Sequence, residues 1–498
     1  MKSSQGPLLQ LFHSDQASPL QEQLFERLRS AILDGAFRAG DRLPSTRTLS
    51  RDLGVSRNTV VAAVDRLVAE GYLETRIGSG TYVTSRLPDE AMTPALRVAA
   101  SSVQPAPAVA DSAPRGAVAG DSLPFRAGLP ATDQFDLEIW KRLIIRRWRD
   151  AGPSVLGRDA GGGWLPLRRM LATHLQTSRG LRCEPEQILI LPSRTAGLEL
   201  AASLLIAAGD QVWLEDPGCP AQRAVLLARA GRPVFVAVDQ DGFDPELAQR
   251  MAPDARLAIV TPGWQFPAGG VMPMRRRLAL LSWARRSGAW VLEDDADGGY
   301  RYEGRPLAAL QGLDEAGRVL HLGSFDRVLV PAVRMAWLVL PPELVGAAHD
   351  LRSRLGHTVP LPEQMAVHDL IAEGHLASHL RRSRRSYAER QQALRDAASR
   401  LWSGALDLED APAGLHLTAR IDPGLPLSAA ELETLAAARG IELQALSSFQ
   451  AARTDFSGLV LGYAACTPER IRKAAERLAQ ILDGRRVQTA PSFGRMRL

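Results

Sequence analysis

Lysine, which can form a Schiff base with an aldehyde, is scarce in this chain. It occurs only at Lys2, Lys141 and Lys473, and nearly all other basic residues are arginine. An arginine guanidinium stays protonated at neutral pH, and its nitrogens are not nucleophilic. A GC-rich genome would explain the bias, but the consequence does not depend on the cause. Chemistry that needs a buried lysine amine has almost no candidates.

One stretch of the chain has the residue types of an anion-binding site. Ser193, Arg194 and Thr195 lie between a predicted strand and a predicted helix. At such a position backbone N–H groups and hydroxyls can face a bound anion, because the first N–H groups of a helix have no partner within it. The segment is therefore a candidate phosphate site.

A second stretch carries side chains that suit the edges of DNA bases. Ser56 is a good N-cap for a helix predicted over residues 57–70, and Arg57, Asn58 and Thr59 form its first turn. Arginine suits the paired acceptors of guanine, and asparagine suits adenine. The pattern predicts that this helix enters the major groove.

Further residues near this helix suit the DNA backbone. Arg47 and Arg51 belong to the preceding predicted helix, where phosphate contacts would fix the register. The turn Gly78, Ser79, Gly80 lacks bulk and could approach the backbone closely. A small three-helix unit with surface arginines could instead bind a protein, but the glycine-tipped hairpin favours DNA.

The elements that must position these residues form a winged helix-turn-helix over residues 14–86. Apolar residues repeat at helical spacing from Leu20 to Ile32, a second short helix follows, and the base-reading helix is the third. Residues 72–77 and 81–84 alternate in polarity and predict the strands of a β-hairpin.

The composition of the chain changes after the hairpin. Residues 87–123 are rich in Ala, Pro, Ser and Gly and predict a flexible linker, and the basic residues 486–498 predict a loose tail. Residues 124–485 alternate predicted strands and helices, which favours an α/β domain with a mainly parallel sheet. The predicted strands include 187–191, 211–215, 257–261, 290–293 and 319–322, with helices such as 196–207 and 274–287 between them.

Composition excludes several classes of protein. At 498 residues the chain is too long for one core, while 45% apolar and 23% charged residues are ordinary for a globular protein. Cys183, Cys219 and Cys466 have no CxxC spacing, so we expect neither a disulfide framework nor a metal site. A net charge of +5 permits a nucleic-acid partner without requiring one. The absence of a long apolar run predicts a cytoplasmic protein with no membrane partner.

The first unit also resembles a known family. The stretch "ILDGAFRAGDRLPSTRTLSRDLGVSRNTVVAAVDRLVAEGYLETRIGSGTYV" is similar to the GntR-type winged helix of bacterial regulators. The resemblance implies double-stranded DNA as the partner. It also implies that Arg47, Arg57, Asn58, Thr59 and the tip at 78–80 contact it.

The second unit resembles a fold-type I aminotransferase over nearly its whole length. The resemblance is carried by "DAGGGWLPLRRMLATHLQTSRGLRCEPEQILI", "VWLEDPGCPAQRAVL", "TPGWQFPAGGVMP", "EDDADGGYRYEGRPLAALQG" and "GSFDRVLVPAVRMAWLVLPPEL". With the GntR-type unit this is the arrangement of the MocR subfamily of transcription regulators. The resemblance implies a large pyridoxal-phosphate-transferase-like domain, a smaller C-terminal α/β subdomain and a head-to-tail homodimer.

Several residues match the family's cofactor-binding positions. Ser324 and Arg334 match the phosphate-binding serine and arginine, and the segment at 193–195 completes the phosphate cup. Asp294 matches the carboxylate that pairs with the pyridine nitrogen, although an ordinary loop acid or helix cap would look the same. The resemblance therefore implies an intact phosphate site.

The reactive end of the site departs from the family. Arg327 replaces the lysine that forms the Schiff base, and Ala296 replaces the usual tyrosine. Trp264 stands in place of histidine or asparagine, Cys219 in place of an aromatic residue, and Asp326 in place of a small polar residue. We therefore expect no catalysis, with any pyridoxal phosphate held non-covalently only. In the alternative, Arg327 and Asp326 pair with each other or with Asp294 and fill the pocket.

The sequence thus predicts a DNA-binding transcription regulator whose aminotransferase-like domain dimerises. That domain could also sense a phosphorylated or amino-acid-like effector. One alternative is a pyridoxal-phosphate-dependent aminotransferase with a DNA-binding appendage, which the missing lysine opposes. The other is an effector-independent regulator that uses the domain only as a scaffold, with its pocket closed by Trp264 and Arg327.

Overall fold

The computed structural model describes residues 19–76, 78–85, 123–157, 161–295, 300–301, 307–409, 411, 413–452 and 457–486. The chain forms two compact units, Met1–Ala110 and Asp111–Leu498. The predicted linker and basic tail, and the first residues of the predicted winged helix, fall almost wholly outside the described residues. Their boundaries therefore remain predictions.

The first unit is a winged helix-turn-helix, as predicted. Its elements are α1 (Leu20–Leu33), α2 (Thr46–Leu53), α3 (Arg57–Ala69), β1 (Leu73–Arg76) and β2 (Gly80–Val83). The apolar faces of the three helices meet in one core, in which Phe25, Leu49 and Leu67 are buried. The first helix begins at Leu20 after Pro19.

The wing of this unit is wider than the predicted hairpin. Strands β1 and β2 pair antiparallel, and the segment at 40–43 runs along the other edge of β2. Gly40 donates its N–H to the Val83 carbonyl at 2.9 Å, and Leu43 donates to Thr81 at 2.8 Å. The loop before α2 is thereby bonded to the wing.

The described residues of the second unit begin at residue 123. Its strands are β3 (Ile188–Leu191), β4 (Gln211–Asp216), β5 (Arg232–Ala237), β6 (Leu257–Val260), β7 (Trp290–Asp294), β8 (Val319–Ser324), β9 (Ala336–Val339), β10 (Leu406–Leu408), β11 (His416–Ile421), β12 (Gln444–Ala445) and β13 (Gly458–Gly462). Its helices are α4 (Leu137–Arg149), α5 (Pro153–Leu156), α6 (Leu165–Arg179), α7 (Arg194–Leu205), α8 (Pro220–Ala228), α9 (Pro245–Met251), α10 (Met274–Ser287), α11 (Val345–Leu355), α12 (Leu361–Ala372), α13 (His375–Leu401), α14 (Ala429–Ala437) and α15 (Pro468–Arg486).

The large sheet of this unit confirms the predicted α/β class. Its strand order is β3-β9-β8-β7-β6-β4-β5. Every pairing from β8 to β5 is parallel, and β9 runs antiparallel between β3 and β8. Strand β3 is therefore parallel to β8, and the strands other than β9 all end at one edge.

A smaller subdomain completes the unit, as the resemblance implied. Strands β10, β11, β13 and β12 form an antiparallel sheet in that order. Its core includes the fully buried Trp402 and Tyr463. Within the described part of the chain, no helix combines the length and apolar character needed to cross a membrane.

Candidate functional sites

The start of α3 is built to expose two of the predicted base-reading residues. Ser56 caps the helix by accepting the Thr59 N–H at 3.1 Å, and its hydroxyl lies 2.8 Å from the Thr59 hydroxyl. Arg57 and Asn58 are exposed on the same turn, whereas Thr59 is half-buried. Thr59 thus contributes to the cap, while Arg57 and Asn58 are presented to solvent.

The two predicted phosphate contacts on α2 differ in their surroundings. Arg51 donates to the neighbouring Asp52 carboxylate at 3.2 Å, which offsets part of its charge. Arg47 is exposed on the first turn of the same helix. Arg47 is therefore the better placed of the two for a phosphate.

The wing tip depends on glycine for its shape. Gly78 and Gly80 have φ values of +76° and +121°, a region that favours glycine. A Cβ at Gly80 would lie 2.9 Å from Arg42 Nε, so a larger residue would displace that side chain. Ser79 lies 2.6 Å from the Tyr82 hydroxyl, which ties the tip to β2.

The second site lies at the edge where β3, β4, β6, β7 and β8 end, which is where open α/β sheets bind ligands. Helix α7 follows β3 and packs closely over β8. A Cβ at Gly197 would lie 2.4 Å from Leu322 Cδ1, so a larger residue would have to displace the buried Leu322 side chain. Ser193 caps α7 by accepting the Ala196 N–H at 3.1 Å. These contacts fix the first turn of α7 beside the end of β7.

Arg194 and Asp294 form an ion pair at this position. Arg194 Nε donates to Asp294 Oδ1 at 2.6 Å, and its Nη2 donates to Oδ2. Gln222 of α8 also donates to Asp294 Oδ2, at 2.7 Å. The Asp294 side chain is fully buried, and that of Arg194 is 13% exposed. Burial alone would lower the pKa of Arg194, but the attraction of Asp294 outweighs it and raises the pKa well above its ordinary value.

Cys219 lies against the same guanidinium. Nη2 and Nη1 of Arg194 are 3.5 Å and 3.7 Å from Cys219 Sγ, within the range of weak hydrogen bonds to sulfur. Arg194 thus contacts both the carboxylate predicted to pair with a pyridine nitrogen and the residue in place of the family's aromatic.

The phosphate end of the predicted site is also engaged within the chain. The Ser324 hydroxyl donates to Asp326 Oδ1, which also accepts the Arg327 N–H at 2.8 Å. A serine hydroxyl has a single proton, so Ser324 cannot donate to a phosphate while this bond persists. Thr195 and Arg334 are exposed.

Arg327, at the position predicted for the family's lysine, extends toward the side of the site that faces the smaller subdomain. The guanidinium carbon of Arg327 lies 5.1 Å from the centre of the Phe266 ring, and a Cβ at Gly128 would be 3.3 Å from Arg327 Nη2. Trp264 is buried, and its indole lies against the backbone of Gly414. Ala296 is outside the described residues.

Sequence reasoning missed two polar residues near this edge, Gln222 and Glu215. Glu215 accepts the Thr261 N–H at 3.0 Å and hydrogen bonds from the Thr261 hydroxyl and Gln265. Burial raises the pKa of Glu215 to about 7 against the effect of these bonds. The acid in "VWLEDPG" follows an apolar strand, which was the only signal available.

The role of the Arg194 side chain was missed as well, because only its backbone and its neighbours' hydroxyls were considered.

These residues, as placed, do not fit pyridoxal phosphate. The cofactor needs a carboxylate for its pyridine nitrogen, donors for its phosphate and a lysine amine for its aldehyde. The carboxylate of Asp294 is paired with Arg194, the Ser324 proton is donated to Asp326, and position 327 is arginine. The phosphate cup at residues 193–195, Ser324 and Arg334 stays a prediction, with Thr195 and Arg334 exposed and Ser324 bonded to Asp326.

A winged helix joined to an aminotransferase fold defines a DNA-binding regulator with an aminotransferase-like domain. Bacterial regulatory proteins of the gntR family match residues 20–83, and aminotransferase class I and II matches residues 136–478.

Known proteins share both parts of the chain. It is 38% identical over 465 residues to the probable rhizopine catabolism regulatory protein MocR of Rhizobium meliloti, covering 92% of this chain and 93% of that protein. It is 32% identical to the HTH-type pyridoxine biosynthesis transcriptional regulator PdxR of Corynebacterium glutamicum, covering 93% and 95%. The chain belongs to the MocR-type transcription regulators, within the gntR and the class I and II aminotransferase families.

The fold of the second unit is similar to that of a solved aminotransferase. LysN, the alpha-aminoadipate aminotransferase of Thermus thermophilus, was solved with N-(5'-phosphopyridoxyl)-L-leucine. It superposes with a TM-score of 0.67 at 28% identity, covering 74% of this chain and 93% of that one.

Proposed function

We propose that this MocR-type transcription regulator binds operator DNA through the first turn of α3 and that its aminotransferase-like domain does not catalyse transamination. The observation that carries the DNA assignment is the exposure of Arg57 and Asn58 directly after the Ser56 cap. Both side chains are of the types that read base edges in the major groove. Arg47 and the glycine-tipped wing would add contacts to phosphates.

We propose further that the protein acts as a homodimer formed by its second unit. Helix α4 exposes Leu137, Ile145 and Trp148, each about half accessible. Their spacing places them on one side of the helix. Grouped apolar side chains of this size are typical of protein interfaces. A dimer would present two winged helices to repeated half-sites on DNA.

Sedimentation velocity tests this arrangement. The wild-type protein is expected to sediment as a dimer at micromolar concentration. The double variant Ile145→Glu/Trp148→Glu is expected to shift toward monomer, because burying the new charges in an apolar interface is unfavourable. Met251→Glu alters an equally exposed apolar residue on α9 and is the matched control. A monomeric wild type, or a double variant as dimeric as the control, would contradict the proposal.

The proposal of a non-catalytic domain rests on Arg327. A guanidinium at this position cannot act as the amine nucleophile of the family. The neighbouring Asp326 and the buried Asp294 are each bonded within the chain. Several parts of the reactive end therefore differ from what transamination requires.

Restoring the lysine alone is expected to leave the site inactive. The variant Arg327→Lys should show no new visible absorption band when mixed with pyridoxal phosphate, because Arg194 still pairs with Asp294. Absorption spectra of Arg327→Lys and wild type, recorded against free pyridoxal phosphate, measure this. The variant Lys141→Arg/Lys473→Arg in the Arg327→Lys background controls for reaction at the two exposed lysines of the described residues. A strong band that survives this control would show that the site remains competent.

A second candidate role for the domain is an effector-independent scaffold. The pairing of Arg194 with Asp294 and of Ser324 with Asp326 favours it, because both pairs fill contacts that a phosphorylated ligand would use. The two roles differ in one measurable property. In a scaffold, the affinity for operator DNA does not change with phosphorylated or amino-acid-like compounds.

A further inference from the structure

We infer that the Arg194 guanidinium occupies the place of the cofactor's pyridine ring. The wild-type domain therefore excludes pyridoxal phosphate, and a small residue at position 194 opens a site for it. This goes beyond the loss of the lysine, since a site without lysine could still hold the cofactor non-covalently.

The ring end of the site carries the first step. In the family the carboxylate at position 294 receives a protonated, planar ring nitrogen. In this chain the same carboxylate receives a protonated, planar guanidinium, with Nε at 2.6 Å from Oδ1. The guanidinium also reaches Cys219 Sγ at 3.5 Å, so it fills the space between the carboxylate and the residue that replaces the family's aromatic. A ring cannot occupy this space at the same time.

The buried ion pair with Asp294 opposes withdrawal of the Arg194 side chain. Arg194 is the first residue of α7, and Ser193 caps that helix at 3.1 Å. One turn further, Gly197 lies so close to Leu322 that a Cβ would be 2.4 Å from it. The backbone is thus held by the cap and by the sheet, and admitting a ring would require the buried ion pair to break. Breaking a buried pair leaves a charge without its partner, which is strongly unfavourable.

The phosphate end gives an independent reason for exclusion. The carboxylate of Asp326 accepts the Ser324 hydroxyl and the Arg327 N–H at 2.8 Å. A phosphate bound at Ser324 would lie beside this carboxylate, and like charges at close range repel. Both ends of the cofactor therefore meet groups already bonded within the chain.

Calorimetric titration with pyridoxine 5'-phosphate tests the inference. This compound has the ring and the phosphate but no aldehyde, so it cannot react with Lys2, Lys141 or Lys473. We expect no saturable heat with wild type and saturable one-to-one binding with Arg194→Ser, because the competing ion pair is removed. Arg275→Ser removes the partner of Asp241 from an exposed pair of the same unit and is the matched control. It should behave like wild type.

A second variant distinguishes binding at the opened site from binding caused by a general loosening of the domain. Arg194→Ser/Asp294→Asn removes the carboxylate needed by the ring nitrogen and is expected to bind at least ~10-fold more weakly than Arg194→Ser. Thermal melts identify which variants are folded. Saturable binding to wild type overturns the inference whether or not any variant folds. So does a folded Arg194→Ser that gives no saturable heat.

Discussion

Replacing Asp294 by alanine is expected to lower the free energy of unfolding of the second unit by about 3–5 kcal/mol. The substitution leaves the Arg194 guanidinium, which is only 13% exposed, without its counter-charge. It also removes the acceptor of Gln222. Urea denaturation followed by tryptophan fluorescence measures the effect on this unit alone, because all 9 tryptophans follow residue 139.

The control for this prediction is Asp239→Ala. Asp239 pairs with Arg276 through two bonds, at 2.6 Å and 2.7 Å, but its side chain is 55% exposed. Without Asp239, the 11% exposed Arg276 would keep Asp244 at 3.8 Å and the Gly242 carbonyl at 3.0 Å as partners. Exposed pairs contribute about 0–1 kcal/mol, so a small loss is expected there. The double variant Arg194→Met/Asp294→Ala should regain much of the stability, since it removes both buried charges. A loss for Asp294→Ala no larger than that for Asp239→Ala would show that the pair is not buried in solution.

Replacing Arg57 by alanine is expected to weaken binding to operator DNA by about 10–100-fold and to relax its sequence preference. Arg57 is exposed on the first turn of α3, and an arginine side chain suits the paired acceptors of guanine. Fluorescence anisotropy with the protein's own upstream region and a scrambled duplex measures affinity and preference together.

Two further variants test whether the effect of Arg57→Ala is specific to base reading. Arg47→Ala should weaken binding to both duplexes similarly and reduce its salt dependence, as expected for a phosphate contact. Arg250→Ala removes the same charge from an exposed position on α9 and should leave binding unchanged. Equal affinity and equal preference in Arg57→Ala and Arg250→Ala would refute the assignment of α3 as the base-reading helix.

Local patterns were sufficient to predict most elements that frame the two sites. Helix α10 spans Met274–Ser287, as its sequence predicted, and β7 and β8 each extend the prediction by one or two residues. These elements are long or strongly apolar, so the pattern of their apolar residues is enough to predict them. The antiparallel β9 was not predicted, because its position between β3 and β8 depends on pairing over more than a hundred residues.

The side-chain contacts within the second site could not be predicted from the sequence, for a related reason. The resemblance to aminotransferases identified Ser193, Asp294 and Ser324 as members of one site. The partner of Asp294 lies 100 residues away, and its approach depends on Gly197 permitting α7 to pack on Leu322. Sequence reasoning considered Arg327 as the residue that could fill the pocket, whereas Arg194 pairs with Asp294. Side-chain direction at a helix start decides this, and periodicity does not encode it.

The bonding of β2 on both of its sides determines which parts of the first unit would carry a force applied to the chain that follows it. The chain leaves that unit from β2, and β2 is bonded on one side to β1 and on the other to residues 40–43. A pull on the chain beyond residue 85 would therefore be shared at once by the wing and by the loop that leads into α2. Such a force would therefore reach the segments before and after α2 and α3 together, and would not be confined to β2.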